Sequence, residues 1–371
     1  MKTNAQLLLF LIGLSFCSCN STEKNHATPI LDLDKDFPTT EKLELKPFNK
    51  YNILNEGFCM IDDSTLWYIR EGESDFGTCY NLYTGEKLSI IASKGRAANE
   101  LTQLENLIMI GDSVQLYTTQ NTIKTFAKRD IINNTPMGER NFSVTTVPDS
   151  IWVRRIVKLP NGSVLATIMP ALFEFEQTRM NEFNKKSVAI FNEKEAKSYE
   201  TINYESFDLK TAKKDELPAN DLIKCAYADG SIEIRNNDIA VFSVSHQFIL
   251  YTFDIKNGNV INEKRYTQMQ RTKGEGSLNT INDRQIEILS MKTNDKYILC
   301  FTKVLFSEKD KDSRQDKREL FVFDWELNPI KKFNLPYREN GYYTISNDGR
   351  AVYFRENNED GLMLYKADLN I

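Results

Sequence analysis

The chain has 371 residues, 41% apolar and 11% aromatic, enough for two ordinary domains or one large repeat domain with a sizeable core. Lys and Arg number 47 against 52 Asp and Glu, a formal charge of −5, so the basic field that nucleic-acid binding needs is missing. Only His26 and His246 are present, so imidazole zinc sites, acid–base pairs and Ser-His-Asp triads would all have to run through His246.

The N-terminus reads as an address. A basic start precedes the apolar run Leu7–Phe16, which is too short to span a bilayer core of roughly 30 Å and suits a secretory signal. Ser18 before Cys19 resembles a bacterial lipobox, which implies cleavage after residue 18 and lipid attachment to the Cys19 sulfur. Residues 19–40 are expected to be a flexible polar tether, with His26 solvated inside it. Asp32-Leu-Asp-Lys-Asp36 has the opening spacing of a calcium loop. Phe37 stands where glycine is required and Leu43 where a bidentate Glu should be, so no calcium is expected there.

From residue 41 onward one pattern recurs: a strand end, a tight polar turn and a new apolar strand. Its six copies are Ile61–Tyr68, Ile110–Tyr117, Leu159–Ala166, Arg235–Phe242, Thr293–Cys300 and Ser346–Tyr353. Taking Asp63, Asp112, Asn161, Asn237, Asp295 and Asp348 as markers, the intervals are 49, 49, 76, 58 and 53 residues, a period that points to a propeller. The runs after most markers are continuously apolar, as in strands buried on both faces. A second polar turn follows in each repeat, as in Asn81–Lys87, Tyr251–Gly258 and Phe321–Asn328, and reads as the hairpin between third and fourth strands.

The fold expected is all-β: a six-bladed β-propeller over residues 41–371 with four-stranded antiparallel blades. The last copy ends at Ile371 with room for three strands, so Glu41–Lys46 is expected to supply the fourth and close the ring. Helix is confined to Ala171–Lys186 and parts of Glu200–Lys224, insertions that explain the longest interval. Cys59 and Cys79 fall on the first and third strands of one blade, beyond comfortable disulfide reach, so these and Cys225 and Cys300 are expected as buried thiols.

Lys94-Gly-Arg-Ala-Ala-Asn-Glu-Leu101 resembles the Gly-x-Gly-Pro-x-Glu-Phe loop of TolB-like six-bladed propeller lipoproteins from Bacteroidota, and more distantly that of NHL repeats. Gly95 and Glu100 match; Ala97 and Ala98 replace Gly-Pro, and Leu101 replaces the aromatic residue. The resemblance implies an exported lipoprotein at the outer membrane, facing the periplasm or the surface, with no settled activity.

In a propeller, the loops linking the second to the third strand, and each blade to the next, gather on one face. That set holds Glu71–Gly77, Ser93–Asn106, Pro170–Lys186, Ser245–Gln247, Ser307–Glu319 and Glu356–Gly361, plus connections near 203–226 and 268–285. Arg96 could grip a carboxylate or sulfate in two-pronged geometry, Glu100 could accept hydroxyl hydrogens, and Asn99 lies between them. The bland alternative is that Glu100 bonds amides of its own loop and Arg96 pairs with it. His246 could serve as a base or a ligand. The glycines of Thr272–Ser277 complete no phosphate-loop pattern, and no metal-type cysteine spacing occurs. The expected protein is a monomeric, cofactor-free module that binds a glycan, peptide or partner protein. The alternative is a polysaccharide lyase or glycosidase with carboxylates at the channel mouth.

Overall fold

In the computed structural model, the polar markers fall at turns between antiparallel strands. The structure describes residues 29–53, 57–118, 122–147, 153–168, 188–192, 196–199, 230–235, 238–244, 247–266, 269–271, 278–280, 284–306, 317–336, 341–359 and 361–371. Asn237 lies outside them, though the strands on either side of it pair as the pattern requires. The marker chemistry is visible at Asn161 and Asp348, and at the Asp295 turn the neighbouring Asn294 supplies it. The side-chain oxygen of Asn161 accepts from the Ser163 amide (2.9 Å), Asn294 serves Lys296 and Tyr297 (2.9 and 2.8 Å), and Asp348 serves Arg350 (3.0 Å). Asp and Asn are favoured here because their side-chain oxygens accept from the backbone amide two residues on, imitating the carbonyl that closes a turn.

Blade 1 comprises Phe58–Asp62, Thr65–Ile69, Thr78–Asn81 and Lys87–Ile90. Blade 2 is Asn106–Ile110, Ser113–Thr118, Thr122–Ala127 and Phe142–Thr146. Blade 3 is Val153–Lys158, Val164–Ile168, Val188–Phe191 and Ala196–Tyr199. Blade 4 is Gly230–Arg235, Ile239–Val244, Ile249–Asp254 and Val260–Arg265. Blade 5 is Arg284–Thr293, Tyr297–Phe306, Lys317–Asp324 and Pro329–Leu335. Blade 6 has Gly341–Ile345, Ala351–Asn358 and Gly361–Asp368 from the C-terminus. All six are antiparallel, and a small hairpin of Met269–Arg271 with Leu278–Thr280 stands between blades 4 and 5 in sequence. The chain is a six-bladed propeller.

The core is divided among the blade interfaces. Six buried apolar clusters each draw on two neighbouring blades, and together they run round the ring. This arrangement explains the continuous apolar runs. Leu66 packs toward blade 6 while its neighbour Trp67 packs toward blade 2, and Val241 faces blade 5 while Ala240 and Phe242 face blade 3. With a side-chain period of two, a strand buried on both faces has no solvent side to spell out in polar residues.

The closing strand requires a correction. Lys46–Tyr51, not Glu41–Lys46, pairs antiparallel with Gly361–Asp368 as the fourth strand of blade 6. Glu41 and Lys42 instead run parallel to Phe333 and Asn334 on the outer strand of blade 5. The alternation of Leu43 and Leu45 mimicked a strand, but both side chains pack between blades 5 and 6. Pro47 is tolerated in this strand. It sits at a register break on the outer edge, where a missing amide hydrogen costs no ladder bond.

The chain is also docked before residue 41. Ile30 bridges Arg265, and the Leu31 amide donates to the Arg265 carbonyl (2.7 Å). Leu33–Asp36 forms a single helical turn capped by Asp32, and it buries Leu33 and Phe37 in the cluster between blades 4 and 5. Asp36 accepts the Tyr266 hydroxyl (2.6 Å) and faces Lys264 (3.4 Å). The packed domain therefore starts near residue 30, inside the stretch expected as tether; residues 19–28 lie outside the described part.

Two further expectations meet the structure differently. The stretches expected to carry helix lie wholly outside the described residues. A short helix occurs instead at Lys128–Ile132, between the third and fourth strands of blade 2. Arg140, buried just beyond it, donates to the carbonyls of Thr135, Ile91 and Ile90 at 2.9, 2.8 and 3.1 Å, tying this insertion to blade 1. Cys59, Cys79 and Cys300 are buried free thiols, with Cys59 and Cys79 on the first and third strands of blade 1 as expected. Burial pushes the Cys79 thiol up to about 12 and raises those of Cys59 and Cys300 as well. Cys225 lies outside the described residues.

Candidate functional site

Because strands alternate in direction, the first strand of every blade begins at the end of the ring where the second-to-third loops turn. Much of that face lies outside the described residues, including His246, Pro170–Lys186 and 203–226. Its described parts include the loop after blade 1 and the mouth of the central channel.

The loop closes on itself. The Gly95 amide donates to the Leu101 carbonyl (2.9 Å), the Leu101 amide to Ser93 (3.0 Å), and the Glu100 amide to Ala97 (3.0 Å). The Glu100 carboxylate turns back and accepts the Ala97 amide (3.0 Å). It occupies the space over Gly95 so completely that a Cβ there would stand 1.8 Å from its Oε2. The lysine of blade 2, Lys124, donates to the Ala98 carbonyl (2.8 Å) and to that of Glu100. Leu101, the residue standing in for an aromatic, is buried between blades 1 and 2. Glu100 thus holds its own loop, which is half of the bland alternative. The other half does not hold: Arg96 is exposed and forms no pair with Glu100. Asn99 is half-buried beside them. Arg96 is consequently the one of these three left presenting a free charged group to solvent.

The channel is the second feature. A cavity of about 390 Å³ is lined by the first strand of every blade, which places those strands innermost. Its walls are mixed. Met60, Leu107, Ile232 and Met291 supply apolar surface, and Glu233 pairs with Lys292 across blades 4 and 5 (3.2 Å). Arg155 donates from Nε to the Gly230 carbonyl (2.9 Å). The other lining carboxylate, Glu105, accepts from Gln103 Nε2 (3.1 Å). Each carboxylate in the described lining is therefore engaged.

The rim carries large side chains exposed to water. Phe58 opens the first strand of blade 1 and is 59% exposed; Tyr342, near the start of blade 6, is 63% exposed. Leu289 is also exposed, since a register break between Ile288 and Ser290 leaves it without a cross-strand partner. Near them Arg355 is 7% exposed, with its guanidinium 4.6 Å over the Tyr342 ring. Sequence reading missed all four. A signal for Arg355 was present: it follows Ala351–Phe354 directly, and a cation at the end of a doubly buried strand calls for a partner. No comparable signal marks Leu289, because a bulge is not legible in side-chain pattern.

No family model matches this chain, and no curated protein matches it. Among solved structures it is similar to dihydro-heme d1 dehydrogenase NirN in complex with DHE, with 11% identity and a TM-score of 0.39 over 84% of this chain and 64% of that one. It therefore spans less than two thirds of that relative's length. A chain of the mitotic checkpoint complex gives 11% identity and a TM-score of 0.41, covering 92% of this chain and 99% of that one. Kluyveromyces lactis Hsv2 gives 8% and 0.35, covering 82% of each. At such values no role passes from these proteins to this one, and the propeller assignment rests on the six sheets themselves.

Proposed function

We propose that this chain is an exported, lipid-anchored propeller of the TolB-like kind, which holds a glycan, peptide or partner protein on the face where its blades begin. One observation carries the binding reading. Phe58, Leu289 and Tyr342 stand exposed at the channel rim, where a ring with no ligand would gain by burying them or replacing them with polar groups. Aromatic and aliphatic groups around a concave opening with a few polar groups are the usual composition of a binding site. The enzyme reading has no comparable support, since the carboxylates of the described lining have partners already. The anchor rests on the apolar run Leu7–Phe16 and on Cys19, and the TolB-like likeness on the Lys94–Leu101 loop.

Two measurements test this. Cys19→Ala should move the protein from the membrane fraction to the soluble one; retention in membranes would remove the anchor. Phe58→Ala should weaken capture of the protein's ligand from a panel of immobilised glycans and peptides. An unchanged binding profile would remove the rim from the site.

A further inference from the structure

The cleft between blades 6 and 1, beside the channel rim, holds cations that no described carboxylate pairs. Ala351 and Tyr353 pack toward blade 1 in the cluster shared by these two blades, and Arg355 follows on the same side of its strand. Its Nη1 lies 3.5 Å from the Cys59 sulfur on the first strand of blade 1, confirming that it reaches across. Tyr68 is the cross-strand partner of Cys59 and packs in the same cluster, and Arg70 lies two residues beyond it. The Tyr68 hydroxyl, pushed up to about 12 chiefly by burial, feels both guanidiniums, which pull it back.

Neither arginine has an acidic partner among the described residues. The Cys59 thiol offers Arg355 no charge, because burial raises its pKa. The remaining contact of Arg355 is the Tyr342 ring. Asp75, on the loop after Arg70, uses its Oδ1 to accept the Gly77 amide (3.1 Å). A guanidinium taken out of water without a carboxylate is costly, and two sharing a cleft repel each other. An anion arriving between them would relieve both terms, and the planar guanidinium matches a carboxylate in two-pronged fashion. On the same face as Arg355, its cross-strand partner Tyr342 leaves its ring open to solvent, an apolar surface of the size of a sugar ring.

We propose that this cleft is the subsite for an acidic sugar, with Arg70 and Arg355 gripping its carboxylate and the sugar ring laid against Tyr342. This rests on the binding reading above and names its ligand class as a uronate-containing glycan.

The test is calorimetric titration of the full chain in detergent with a short galacturonate oligomer and with the methyl ester of the same oligomer. The acid should bind at least about tenfold more tightly than the ester, the loss expected for one charge-assisted contact. Arg70→Gln, a change at a half-buried position, should bring the ratio of acid to ester affinity close to one; Arg355→Gln should do the same if circular dichroism shows it folded. Equal binding of acid and ester by the unaltered protein overturns the proposal, as does an unchanged ratio in Arg70→Gln. If both oligomers bind equally and Phe58→Ala abolishes that binding, the acid subsite falls while the binding reading stands. If neither oligomer binds, the uronate subsite and the glycan form of that reading fall together.

Discussion

Replacing Phe37 with alanine asks whether the segment ahead of the first blade belongs to the folded ring. Phe37 is 5% exposed and meets the rings of Phe321 and Phe323 edge-on, with centroids 5.1 and 5.3 Å away. Removing a buried phenyl group costs the transfer of its surface plus the cavity left behind, about 3–5 kcal/mol. The lower end of that range applies here, because the segment crosses the outer edges of blades 4 and 5 and can settle into the space. Urea denaturation of the full chain measures the change through its midpoint at constant slope. Ile30→Ala serves as control: that side chain is exposed, and surface changes usually stay within about 0.5 kcal/mol. Limited proteolysis should cut the Phe37→Ala chain between residues 30 and 41 faster than the parent. A loss below about 1 kcal/mol, or one equal to that of Ile30→Ala, would refute the packing described and return the segment to a tether.

Arg140→Ala should destabilise by about 2–3 kcal/mol, since its bonds to Thr135, Ile91 and Ile90 are charge-assisted and buried; thermal unfolding checks this. Arg140→Lys should recover only part, because one ammonium cannot serve both sides of that fork. Gly95→Ala should cost about 1–3 kcal/mol through collision with the Glu100 carboxylate, and much less in a Glu100→Ala background. A double-mutant cycle without coupling would show that the loop tolerates the methyl group by moving. For pH, a thiol ordinarily ionises near 9.0, while burial holds the Cys79 thiol neutral until about 12. Between those values the unfolded chain binds fewer protons, so stability complete below pH 9 should fall as pH rises through that window. Denaturant midpoints at rising alkaline pH should show this, and Cys79→Ala should flatten the decline.

The ring was legible because its information is local and repeated. A marker such as Asn161 or Asp348 needs only its own next few residues to form its turn, and six such turns at propeller spacing leave few alternatives. Apolar runs such as Ile239–Val244 reported burial on both faces before any partner was known. The Lys94–Leu101 loop was legible as a position, but the role of Glu100 was not. Whether a carboxylate faces a ligand or its own backbone depends on where the chain folds back, and Gly95 is what allows it to fold back.

The sequence by itself determined the blade count, the four-stranded hairpin unit and the need for an N-terminal strand to complete the last blade, since each follows from periodicity and chain length. Only the tertiary structure decided that Lys46–Tyr51 is that strand, that Leu33 and Phe37 fasten the preceding segment, and that Arg355 reaches Cys59 across the seam between blades 6 and 1. Register at an edge, a docking segment and a meeting of residues 296 positions apart all depend on which surfaces the closed ring brings together. No local pattern encodes that.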